Sequence, residues 1–422
     1  MRAGNFWAVV VLLGLAAVSC GQDPIFQIIA NETAPLKPHI EGTPTNMAVF
    51  NRSFPDRDDP VPIMYVASGR IYWYARPSGA DLPQWDSGEY WIPQPGGKIS
   101  ALAVAKYAGN DGKDRERLYA LCWDSNGDNS TLRYMECDEK AWRTIGSAGR
   151  LIQSIYADPE KKRLFAGAQR NAYDYDILYL DNNGNLRNLK DDSGLLSGAV
   201  YDLGEDAYYL STRGGGIFQI SESSLNTNTV TVIQLDNGNN SDKEKNRMFM
   251  GMIKLKDGTI IAVEREGGAL FEVTGGSFAR MQYTNNDGIT VGNYATGALA
   301  LWEDYQNPDK RLLVAGIQGG LYPTTNSSHT YGYVEFELNP DGSFNDGAAR
   351  HDSNSPSNLQ SIIDGNQERY AASLGKQPVK HLFQAPKAID PNMTFFASTQ
   401  KAGLWSHRNR PNNGGWQWNA EE

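Results

Sequence analysis

Seven times along this 422-residue chain one short pattern returns: a β-prone run, an anchor that is alanine in all copies but one, a long planar side chain three positions on, then a turn and an aromatic strand. Two clear copies are Tyr209-Leu210-Ser211-Thr212-Arg213-Gly214-Gly215-Gly216-Ile217-Phe218 and Phe396-Ala397-Ser398-Thr399-Gln400-Lys401-Ala402-Gly403-Leu404-Trp405. The anchors are Ala67, Ala120, Ala166, Leu210, Ala262, Ala315 and Ala397, spaced 44 to 53 residues apart except for a last gap of 82. That period suits a four-stranded sheet, and seven such sheets closed into a ring hide the edges that an open stack would leave exposed. The expectation is an all-β chain, a seven-bladed β-propeller over residues 46–419.

Apolar runs precede the anchor strands at 99–105, 152–157, 248–255 and 298–302, as strands buried on both faces require. Gly214-Gly215 and Gly267-Gly268 supply the positive φ of tight hairpins. Composition agrees: 43 glycines and 11% aromatic residues, with almost no long amphipathic run, exclude a helical bundle. A net charge of −10 leaves no basic footprint for nucleic acid.

The long last gap predicts one insertion, at about 339–378, between the sixth and seventh blades. Within it Ser357-Asn358-Leu359-Gln360 reads as a capping box ahead of a broken helical stripe through Ile362, Ile363, Tyr370 and Leu374. Such a helix either caps a blade edge or meets a partner. At the C-terminus, Gly415-Trp416-Gln417-Trp418-Asn419 is expected to close the ring by pairing with the early segment 47–51.

Residues 1–19 read as an export signal: Arg2, an apolar run over 6–18, then Ala16-Ala17-Val18-Ser19 before Cys20, too short to span a bilayer. Small residues ahead of a cysteine resemble a bacterial lipobox, with Ala17 where leucine is usual, so Cys20 is the expected lipidation site. Ordinary cleavage nearby is the alternative. Residues 20–45 read as a lipid-anchored tether, and the expected address is an exported protein held on a membrane, on the periplasmic side or the cell surface. Cys122 and Cys137 then remain as an even pair. If the turn between their strands is centred near Asn129 they face each other, and a disulfide there would add about 3 kcal/mol. Two buried free thiols are the other reading.

Together the seven copies, spanning residues 47–418, resemble exported bacterial propeller lipoproteins, and the loose lipobox looks most like that of the spirochaete, treponeme-type ones. The Thr212-Arg213-Gly214-Gly215-Gly216-Ile217-Phe218 copy is also loosely similar to sensor-propeller repeats. These resemblances imply an architecture and a compartment; they carry no catalytic motif and name no reaction.

Three positions after the anchors stand Arg70, Trp123, Gln169, Arg213, Arg265, Gln318 and Gln400. On the outgoing turn of a second strand these would ring the central opening, where guanidinium and amide groups suit carboxylates, phosphates or sugar hydroxyls. The alternative is structural: equivalent side chains bonding neighbouring blades. Tryptophans between Trp73 and Trp418 fill seams between blades or stack on sugars, with no even spacing to favour the second. Asp124-Ser125-Asn126-Gly127-Asp128 is similar to the start of a calcium loop, but Asn129 stands where glycine is needed, so it reads as a hairpin turn. Five histidines at no ligand spacing give no zinc site, and neither a cofactor nor a metal is expected. Glu264 and Glu266 flank Arg265 and read as salt-bridged rim residues.

The function expected from these residues is non-catalytic binding of an envelope protein or a small polar or anionic ligand, with the membrane reached through the N-terminal lipid. A glycan hydrolase or lyase is the alternative and requires two central carboxylates about 5–10 Å apart. An envelope scaffold working through the inserted helix is a third class.

Overall fold

Each recurrence of the pattern becomes one antiparallel sheet whose four strands follow in sequence order, and seven such sheets form the β-propeller. The structure is a computed structural model and describes residues 40, 42–108, 114–146, 149–227, 230–236, 247–281, 294–318, 332–345, 350–352, 363, 378–400, 402–410 and 415–421. These belong to the unit Pro38–Glu422. The export signal, Cys20, most of the tether and the helical stripe over 357–374, apart from the buried Ile363, lie outside the described residues. No described helix is long and apolar enough to cross a membrane.

The first, innermost strands are Met47–Arg52, Lys98–Ala108, Leu151–Ala157, Leu195–Asp202, Phe249–Lys254, Tyr294–Glu303 and Val379–Gln384. The anchors all lie on the second strands, such as Ala207–Arg213 in blade 4, where every residue but the last is buried. A strand covered on both faces needs side chains that pack either way, which is why the copies are apolar rather than alternating. Outer strands are short and more open, as at Val232–Gln234.

Seven apolar clusters fill the seams, one between each pair of neighbouring blades. Between blades 4 and 5, Phe249, Phe271 and Phe278 meet edge to face with centroids 5.4–5.7 Å apart. Burying each such ring stabilises the fold by about 1.5–3 kcal/mol.

Closure differs from expectation. Gly415–Ala420 is the fourth strand of its own blade, paired with Leu404–Arg410, and Met47–Arg52 pairs within blade 1. Each end of the chain completes a whole blade, so no strand is exchanged. The ring is instead shut by side chains and by the segment preceding blade 1. Tyr74 donates to Asp390 at 3.0 Å, Trp85 Nε1 donates to Glu421 at 2.5 Å, and Tyr74 packs edge-on against Phe396. Leu404 N donates to the Ile40 carbonyl and Gly403 N to that of Gly42, with Ile40 fully buried. The last described residues of the expected tether are thus part of the blade 7 seam.

Part of the stretch read as an insertion belongs to blade 6. Asn339 to Ser343 form a hairpin turn, and Arg350–Asp352 is the outermost strand of blade 6. The one described α-helix is the single turn Glu222–Leu225 in blade 4.

The cysteine hairpin turns nearer its start than expected. Cys122 lies opposite Thr131, and Arg117 opposite Glu136, so Cys137 is displaced from Cys122 by about six residues, or roughly 20 Å along the strand. That exceeds the reach of a disulfide. Both cysteines are free and buried in the seam of blades 1 and 2, and burial pushes the Cys122 thiol up to about 11.

Candidate functional site

The inner strands carry a feature that the sequence pattern does not announce. In six blades the pairing of first and second strands slips beside the residues that follow the anchor, leaving Ser100, Gln153, Ser197, Met250 and Lys380, and in blade 6 the stretch from Thr296 to Ala298, without a ladder partner. Blade 1 alone keeps an unbroken register. A bulge re-aims a side chain and bends its strand. Repeated at one height, the bulges make a ring around the axis, next to the residues three positions after each anchor.

Those seven residues do not act alike. Arg70 forms an ion pair with Asp86 at 2.5 Å and lies over the Tyr72 ring at 4.0 Å. Trp123 Nε1 donates to the bulged Ser100 at 2.8 Å, and the bulged Gln153 donates to Gln169 at 2.8 Å. Arg265 bonds by backbone to Met248 and to Ala295 of blade 6, while its guanidinium reaches the Met248 sulfur at 3.6 Å. Gln400 donates by its backbone to Pro378 and accepts Thr43 on its carbonyl. Gln318 ends its strand opposite Tyr294, its side chain outside the described residues. These bonds tie blades to one another or stiffen a turn.

Arg213 is different. Its backbone pairs with Leu195 and bridges to Met248 of blade 5, but its exposed guanidinium has neither hydrogen bond nor ion pair among the described residues. Its charge acts on groups of two other blades: Tyr156 on the inner strand of blade 3, and Lys380 and His381 on that of blade 7. Blade 3 is the neighbour of blade 4 and blade 7 lies across the opening, so a guanidinium that bears on both extends toward the axis. Burial and then Arg213 lower the Lys380 ammonium, while burial, then Lys380 and Arg213, hold the His381 imidazole down to about 4. Lys380 and His381 escaped the sequence pattern because the first strands have no shared motif and the bulge at Lys380 leaves no trace in it.

Beside this cluster the axis widens into a cavity of about 310 Å³. Its walls come from the inner strands of blades 7, 1, 2 and 3 and include Phe383, Met47, Val49, Val104, Tyr156 and Ala157. No carboxylate lines it. Elsewhere two acidic residues singled out in the sequence are engaged: Glu264 holds Arg247 at 2.6 Å, and Asp124 accepts Asp128 N at 2.9 Å and Asn129 Nδ2 at 2.9 Å inside its hairpin. No group of three potential metal ligands occurs among the described residues.

No family model matches the chain, and no curated protein matches it. Among solved structures, a GH74 xyloglucanase from Xanthomonas campestris is similar with a TM-score of 0.49 and 15% identity, covering 91% of this chain and 55% of its own, so this chain spans about half of that enzyme. YCF48 bound to D1 peptide is similar with a TM-score of 0.45 and 11% identity, covering 89% of this chain and 94% of its own.

Proposed function

We propose that this chain is an exported, lipid-anchored binding protein whose central opening holds a small anion without transforming it. The observation that carries the reading is that the guanidinium of Arg213, exposed at the outgoing turn of blade 4, bears electrostatically on Lys380 and His381 of blade 7. Guanidinium and ammonium groups together suit a carboxylate or phosphate, one as a planar fork and the other as a point charge. Hydrolysis of a glycan would require acid and base carboxylates at this place, where the described residues offer cations and apolar walls.

Two measurements test the reading. Thermal shift of the full chain with acetate, citrate and inorganic phosphate should show a rise in Tm that Arg213→Ala abolishes without lowering the ligand-free Tm. An Arg213→Ala protein that keeps the full shift, or a wild-type chain that no anion stabilises, rejects the site. The anchor is tested apart from it: Cys20→Ser should release the chain from the membrane fraction and end its labelling by a fatty-acid tracer.

A further inference from the structure

We infer that the anion held here is amphipathic, a monocarboxylate of about ten heavy atoms whose apolar body fills the cavity between blades 7, 1, 2 and 3 while its carboxylate meets Arg213. The inference rests on the anion-site reading and adds the chemistry of the rest of the ligand.

Tyr156 and the strand Val379–Gln384 connect the cluster to the cavity. Tyr156 lines the cavity and lies within the field of Arg213. His381 and Phe383 stand two residues apart on the strand Val379–Gln384, which puts them on one face about 6.6 Å apart. The cationic end of that face belongs to the mouth and the Phe383 end belongs to the cavity wall.

The wall below is apolar in effect. Its one amide, Asn46, is already satisfied by a backbone: Leu102 N donates to Asn46 Oδ1 at 2.9 Å, and Asn46 Nδ2 donates to the Leu102 carbonyl. Met47, Val49, Val104, Ala157 and Phe383 offer nothing to a sugar or an inorganic ion. Size is informative as well. A dry cavity of about 150 Å³ takes benzene, so the 310 Å³ here corresponds to twice that body. An eight-carbon carboxylate has that bulk. Phosphate or acetate would satisfy the cations and leave the cavity unfilled.

The test is a titration series on the full chain by calorimetry: acetate, butyrate, octanoate and dodecanoate, with octanol as the uncharged counterpart. Affinity should rise by about fourfold per methylene from butyrate to octanoate and level off by dodecanoate as the cavity fills. Octanol should bind at least about tenfold more weakly than octanoate, and Arg213→Ala should bring octanoate down to the octanol level. Ala157→Phe, checked for folding by near-UV circular dichroism, should weaken octanoate and spare acetate. The series on the wild-type chain decides the matter even where that variant fails to fold. Equal binding of acetate and octanoate, with Arg213 required for both, overturns the amphipathic ligand and leaves the anion site standing. Octanol binding as tightly as octanoate overturns the carboxylate pole, and no binding across the series overturns both readings.

Discussion

The two halves of the ring reach the axis by different means. In blades 4, 5 and 6 the inner strands carry Gly198, Gly251 and Gly297, and these let backbones touch: a Cβ on Gly251 would lie 2.4 Å from the Gly297 carbonyl oxygen, and one on Gly297 only 2.1 Å from that of Met250. The inner strands of blades 7, 1, 2 and 3 contain no glycine, and their side chains hold the strands apart around the cavity. Short polar side chains reinforce the closed arc, with Ser154 donating to Leu196 O and Ser197 to Phe249 O, each at 2.8 Å. The lesson is that a ring of nominally equal blades makes a pocket by leaving glycine out of one side. Removing side chains closes the wall; keeping them opens it.

The largest effect should come from breaking the closed arc. Gly297 has a φ of +87° and no room for a Cβ, so Gly297→Ala combines left-handed strain with a backbone clash and should cost about 4 kcal/mol, read as a shift in urea midpoint at unchanged slope. Ala157→Val, facing the cavity on the open arc, should cost less than about 1 kcal/mol, because empty space receives the added carbon. Similar costs for the two would remove the distinction between the arcs.

That asymmetry was half legible. The seven anchors gave the blade count and the second strands, because a strand buried on both faces and followed by a tight turn leaves the same residues each time. The bulges were not, since a single extra residue such as Lys380 or Ser100 alters no periodicity and shows only in register. Arg213 was identified for its position, but so was Arg70, and the sequence could not say which arginine has a carboxylate beside it. The cysteine pairing went astray for a related reason: a hairpin centred two to three residues earlier moves the facing partner from Cys137 to Thr131.

Next in size is a response to acid that separates the two histidines of blade 7. His407, in the closed seam beside Trp418, is pushed down to about 3 by burial, and His381 at the open mouth to about 4. Both lie below the unfolded value near 6.5, so between those values the unfolded chain takes up protons that the fold refuses. Stability is therefore complete above pH 6.5 and falls as pH falls, the His381 share ending near pH 4 and the His407 share near pH 3. The loss tied to His407 should be on the order of 3 kcal/mol. Tm scans from pH 7.5 to 3.5 should show His407→Leu with a flatter acid limb than wild type and His381→Leu with a smaller gain. An acid limb indifferent to His407 would mean that this imidazole is hydrated.

The smallest expected effect is the sharpest test of what the repeat encodes. Arg70 and Arg213 occupy the same place in their copies, yet Arg70 is held by Asp86 and stacked on Tyr72, with 44% of its side chain exposed. An exposed pair of that kind is worth less than about 1 kcal/mol, so Arg70→Ala should shift stability by no more than about 0.5 kcal/mol and leave the anion-induced Tm rise intact. Asp86→Asn is the complementary change: it releases the Arg70 guanidinium from its carboxylate without moving it. Should that release create a second anion response, equivalent positions would be interchangeable and the neighbouring carboxylate alone would decide which blade binds. Should it create none, reach toward the axis matters as well, and Arg213 owes its role to the blades it faces as much as to the partner it lacks.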